Sequence, residues 1–160
     1  MTANISTDSK TVFLVDDDSS TANLYSNRLE QAGFRTASAF GTEEAFEALP
    51  GLSADLIILD LMLPKLGGFQ LLGAIRSDSR LKNTPVLVIS NDYLPELAQK
   101  ALRGGGNKSL PKSKCTSAEL ITTSRRLVGI AKAGGDDQSA AVDGAGPGDS
   151  AARGLVVEPA

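Results

Sequence analysis

The chain has 160 residues, room for one domain and a modest extension. Its formal net charge of −3 argues against direct nucleic-acid binding, which needs clustered lysine and arginine. It contains no histidine and one cysteine, Cys115, which excludes Ser-His-Asp and Cys-His catalysis, histidine-ligated metals and an intramolecular disulfide.

The first ten residues are polar and lack the apolar core of a secretion signal. No apolar run reaches the roughly 18 residues that suggest a membrane span. A cytoplasmic protein without membrane insertion is expected. Thr11-Val12-Phe13-Leu14-Val15 is a short β-rich run that predicts a buried strand, and it ends abruptly in Asp16-Asp17-Asp18. An amphipathic helix is predicted over Ser20 to Ala32, with Leu24, Tyr25, Leu29 and Ala32 at helical spacing and Gly33 as its left-handed stop. Phe34 to Ala39 reads as a second strand and Thr42 to Leu49 as a second helix. The third strand, Asp55 to Asp60, is apolar between its two acids. Phe69 to Arg76 is helical, Pro85 to Ser90 is a fourth strand, and Leu94 to Leu102 is a helix that stops at Gly104-Gly105-Gly106. A short fifth strand covers Lys108 to Leu110. The last helix starts near Thr116, where Thr116 and Glu119 have capping-box spacing.

Apolar strands alternating with helices indicate a parallel sheet covered on both faces. Right-handed crossovers then give a doubly wound five-stranded parallel sheet flanked by five helices, an α/β fold. In such sheets ligands bind beyond the carboxyl ends of the strands, at the switch point. The residues predicted there are Asp16, Asp17 and Asp18 after the first strand, Asp60 after the third, Ser90 after the fourth and Lys112 after the fifth. Clustered carboxylates without histidine call for a hard, oxygen-ligated cation, for which magnesium is the natural choice. A carboxylate beside such an ion can attack phosphorus and form an acyl phosphate, with Lys112 neutralising charge and Ser90 donating a hydrogen bond.

These residues also carry a resemblance. Val12 to Asp18, then Asp60-Leu61-Met62-Leu63-Pro64 with Gly67-Gly68-Phe69, then Pro85 to Ser90, then Leu110-Pro111-Lys112, in that order and spacing, resemble the receiver domain of two-component response regulators. The resemblance covers about Lys10 to Ile130 and implies a flavodoxin-like receiver fold. It implies that Asp60 is the phosphoacceptor, that Asp16, Asp17, Asp60 and the backbone carbonyl of Met62 hold Mg2+, and that Ser90 and Lys112 grip the phosphoryl group. It implies a phosphoacceptor switch in a phosphorelay rather than an enzyme. The phosphoryl donor would be a sensor histidine kinase or a histidine phosphotransfer protein, and the output a protein–protein contact with a downstream target. A stand-alone, single-domain regulator is expected.

Three positions depart from the family pattern. Ser109 stands where an aromatic residue is common, Ser113 where proline follows the lysine, and Asn91 where a small residue follows Ser90. They motivate the alternative of a phosphorylation-independent, receiver-like interaction module. A flavin-binding electron carrier is disfavoured, because acids after the first strand would repel a flavin phosphate. Gly104 to Ser109 looks like a phosphate-binding loop but lacks glycine immediately before lysine. The receiver is expected over residues 10–131. Residues 132–160, rich in Gly, Ala and Asp, are expected to form a disordered tail.

Overall fold

The computed structural model describes residues 10–90 and 95–133. Asn91, Leu94 and the Gly/Ala/Asp-rich stretch beyond 133 lie outside the described residues. Five strands, β1 (Thr11–Val15), β2 (Arg35–Ala39), β3 (Leu56–Asp60), β4 (Val86–Ser90) and β5 (Lys108–Pro111), alternate with α1 (Ser19–Gln31), α2 (Thr42–Ala48), α3 (Gly67–Ser77), α4 (Pro95–Arg103) and α5 (Ser117–Ala133). The strands form one parallel sheet in the order β2-β1-β3-β4-β5. The expected doubly wound architecture is therefore present. The compact unit ending at Val128 contains the whole sheet, and the unit Gly129–Ala160 is described only over 129–133, as the end of α5.

The central strands β1, β3 and β4 are buried along nearly their whole length, as continuous apolar runs require. Side-chain alternation sends Phe13, Val15, Ile57, Leu59, Val86 and Val88 to one face, where Ala45, Leu71, Leu72, Ile75 and Ala101 of α2, α3 and α4 cover them. Val12, Leu14, Leu56, Ile58, Leu87 and Ile89 point the other way, against Tyr25 and Leu29 of α1 and Leu120, Leu127 and Val128 of α5. Leu24 does not join this core. The stripe that α1 buries is Ala22, Tyr25 and Leu29, and Leu24 projects outward, 50% exposed. A step of one residue is about 100° on a helix, so Leu24 and Tyr25 cannot share a narrow contact line.

Caps follow the sequence closely. Asp18 caps α1, accepting from the Ser20 amide at 3.1 Å and the Thr21 hydroxyl at 2.9 Å. Gly33 takes the left-handed region at φ 102°, and Phe34 N–H returns to the Leu29 carbonyl at 3.0 Å. The Glu119 amide donates to Thr116 Oγ1 at 3.1 Å, one half of the predicted capping box.

The glycine run before β5 wraps around a single guanidinium. Arg76, at the end of α3, donates to the carbonyls of Gly105 (3.0 Å), Leu81 (3.2 Å), Lys82 (2.9 Å) and Thr84 (2.8 Å) and to Asn107 Oδ1 (2.9 Å). Asn107 Oδ1 also accepts the Val86 amide at 2.8 Å, which ties this knot to the first residue of β4. Gly105 sits at φ 117°, and a Cβ there would lie 2.8 Å from Arg76 Cγ. The phosphate-loop lookalike is thus a turn built around Arg76.

Candidate functional site

The carboxyl ends of β1, β3 and β5 converge. Each ladder continues one step past its strand, from the Asp16 amide to the Ala39 carbonyl (3.2 Å) and from the Leu61 amide to the Ile89 carbonyl (3.0 Å). Asp16 and Asp60 are therefore held in register although they face the pocket. Both carboxylates are fixed in the same way, by the amide two residues on: Asp18 N–H donates to Asp16 Oδ1 at 2.9 Å and Met62 N–H to Asp60 Oδ1 at 2.8 Å. This is the Asx-turn preference of aspartate, used here to aim two acids.

Ligand oxygens of Asp16, Asp17 and Asp60 all lie within 4.8 Å of one another. Asp60 is 2% exposed and Asp16 4%, whereas Asp17 is open to solvent. Lys112 Nζ stands 3.7 Å from Asp60 Oδ2 and is itself 42% exposed along its side chain. Burial pushes Asp16 up to about 6; the nearby Asp60 charge adds to the shift, and the Asp18 amide opposes it. Three carboxylates against one ammonium leave a negative excess, and every donor is oxygen. Such a set fits a hard divalent cation.

Ser90 closes β4 and is 4% exposed. Its Oγ lies 3.5 Å from both Ser109 Oγ and the Leu110 carbonyl oxygen. The Met62 side chain projects outward, 38% exposed, while its amide serves Asp60. Ser113 falls in a short 3-10 turn, Lys112–Lys114, and no cis peptide bond occurs among the described residues. Burial pushes the Cys115 thiol up, which keeps it protonated and unreactive.

The structure adds residues whose part in the site sequence reasoning did not identify. Gly67 and Gly68 open α3, and a Cβ on Gly68 would meet the Asp60 carbonyl oxygen and Leu61 Cα at 2.8 Å. Gly67 leaves room for the Thr42 side chain in the same way. The paired glycines before an apolar helical stretch were the available signal. The Asp18 amide was a second, legible only as an aspartate with an N–H two residues later.

A family model for the response regulator receiver domain matches residues 12–125. The chemotaxis protein CheY of Pseudomonas aeruginosa is 34% identical over 98 residues, 58% of this chain and 79% of CheY. The Bacillus subtilis protein YcbL, described as an uncharacterized transcriptional regulatory protein, is 43% identical over 77 residues, 48% of this chain and 33% of YcbL. The solved receiver domain of Francisella response regulator 1452 aligns with a TM-score of 0.69 at 30% identity, covering 77% of this chain and 99% of that one. The chain spans about a third of the length of the transcriptional regulators it matches first. Among the described residues, no helix is long and apolar enough to cross a membrane.

Proposed function

This chain belongs to the response regulator receiver domain family, and from that premise we propose that it is a cytoplasmic switch phosphorylated on Asp60. The observation that carries the reading is the 3.7 Å contact between Lys112 and an Asp60 that is almost wholly buried beside two further carboxylates. Receivers typically bind Mg2+ at such an acidic pocket. Asp16, Asp17, Asp60 and the Met62 carbonyl are the ligands in this reading, and the ion would supply charge neutralisation to the transferring phosphoryl group.

The donor is a phosphohistidine on a sensor kinase or a phosphotransfer protein. A carboxylate oxygen of Asp60 attacks phosphorus as the phosphorus–nitrogen bond breaks, and the imidazole nitrogen keeps the electron pair. The product is an acyl phosphate on Asp60. The Met62 amide keeps the carboxylate from rotating during attack. Lys112 moves its ammonium from Asp60 to a phosphoryl oxygen, and Ser90 donates to another. The phosphorylated state is passed on by protein–protein contact.

Acetyl phosphate tests the chemistry without a kinase. Incubation with and without Mg2+, read by intact mass, is expected to add one phosphoryl group to the wild type and none to Asp60→Ala. Equal labelling of Asp60→Ala would remove Asp60 from its role. If no adduct forms and beryllofluoride, a phosphoryl mimic, also fails to bind, the phosphorylation-independent interaction module takes precedence.

A further inference from the structure

Among the described residues, Ser90 Oγ has two polar neighbours, and both lie on β5, on the side of β4 away from the strand that bears Asp60. A hydroxyl has one proton to give, and a carbonyl has none. If Ser90 donates to the Leu110 carbonyl, the contact with Ser109 is satisfied only by donation from Ser109. The three groups then form a directed chain, Ser109 to Ser90 to Leu110 O. Ser90's proton is already committed in it, although a phosphoryl oxygen on Asp60 would need that proton. Both contacts are 3.5 Å, against about 2.7–2.8 Å for a strong hydroxyl bond, so the chain is weak enough to break in use. Ser109 is half-buried and can turn to water when Ser90 leaves, whereas Ser90 is nearly closed off from solvent.

We infer that Ser109 is a positioning residue for the phosphoryl site: it holds the Ser90 hydroxyl toward β5 in the resting protein and so sets how readily the site accepts a phosphoryl group. This rests on the reading of Asp60 as the phosphoacceptor. Removing the Ser109 hydroxyl weakens only the resting arrangement, so it shifts the balance toward the phosphoryl-bound one.

The test is calorimetric titration of the full chain with beryllofluoride in excess Mg2+. Ser109→Ala is expected to bind about two- to fivefold more tightly than wild type, the effect of losing one weak hydrogen bond from the resting state. Ser109→Thr keeps the hydroxyl and is expected to match wild type. In a Ser90→Ala background, Ser109→Ala is expected to change nothing, because the group it acts through is gone. Unchanged or weaker binding by Ser109→Ala overturns the inference while leaving the phosphoacceptor intact, and so does an effect that persists without the Ser90 hydroxyl. If wild type binds no beryllofluoride and takes no phosphoryl group from acetyl phosphate, the phosphoacceptor reading itself fails, and this inference with it.

Discussion

Two glycines of α3 make opposite demands on the same substitution. At Gly68 an added methyl carbon would lie 2.8 Å from both the Asp60 carbonyl oxygen and Leu61 Cα, and 3.1 Å from the Leu61 carbonyl oxygen. Carbon atoms pack at about 3.5–4.0 Å, so the overlap approaches an ångström. All three atoms are backbone at the end of β3, and no rotamer change relieves the clash; α3 must lift away from the strand end that carries Asp60. Overpacking of this kind costs about 1–3 kcal/mol. At Gly73 nothing lies within 4 Å of the same added carbon, and the residue is exposed in mid-helix. There alanine is expected to stabilise by about 0.5–1 kcal/mol, because it restricts the unfolded chain and suits the helix. Urea unfolding followed by far-UV circular dichroism reads both. With a slope of about 1–3 kcal/mol/M, the two midpoints are expected to separate by roughly 1–2 M, with wild type between them. Gly68→Ala should also bind beryllofluoride more weakly, whereas Gly73→Ala should bind like wild type. Coincident midpoints for the two variants would refute the close approach of α3 to Asp60.

Arg76→Met retains much of the stem but removes the guanidinium donor from the Gly105, Lys82 and Thr84 carbonyls, while the Leu81 carbonyl and Asn107 Oδ1 keep the Thr84 and Val86 amides; it is expected to lower stability by about 2–4 kcal/mol in the same urea assay. Arg76→Lys should recover only part of this, since an ammonium cannot span the same fork of acceptors. Ser124 is fully buried in α5 and its hydroxyl has no hydrogen-bond partner among the described residues, so Ser124→Ala is expected to raise stability by about 1 kcal/mol. In metal-free buffer, the raised pKa of Asp16 means that the folded state binds the extra proton between about pH 4 and 6. The stability from that proton is fully present below about pH 4 and is lost as pH rises through 6, by up to about 3 kcal/mol. Asp16→Asn is expected to abolish this slope, and the difference between wild type and variant across pH 4–7 measures it.

Much of the site was legible because the strands advertise their own ends. Leu56-Ile57-Ile58-Leu59 cannot be left exposed, so the acid that interrupts the run marks the rim, and the same logic marks Asp16 and Ser90. The caps at Asp18 and Thr116 were legible because they act within three residues of themselves. Leu24 shares the apolar character of Tyr25 and Leu29 but not their angle on the helix, and residue type alone does not report that angle. Arg76 was invisible because four of its five partners are backbone carbonyls, which every residue possesses, brought to it by loops that fold up to 31 residues away. Gly68 works by a close approach, and a missing side chain does not say which neighbour needs the space.

The strand order has a consequence for how the pocket comes into being. β1 and β3 are neighbours, so Asp16, Asp17 and Asp60 can meet as soon as the first half of the chain is available. Lys112 follows from the far edge, beyond β4, and is the last of the site's groups to be translated. A nascent chain that stops short of β5 is therefore expected to bring its acids together without their internal counter-charge. Dissolved cations must then hold the half-built sheet edge against its own repulsion until translation reaches the lysine.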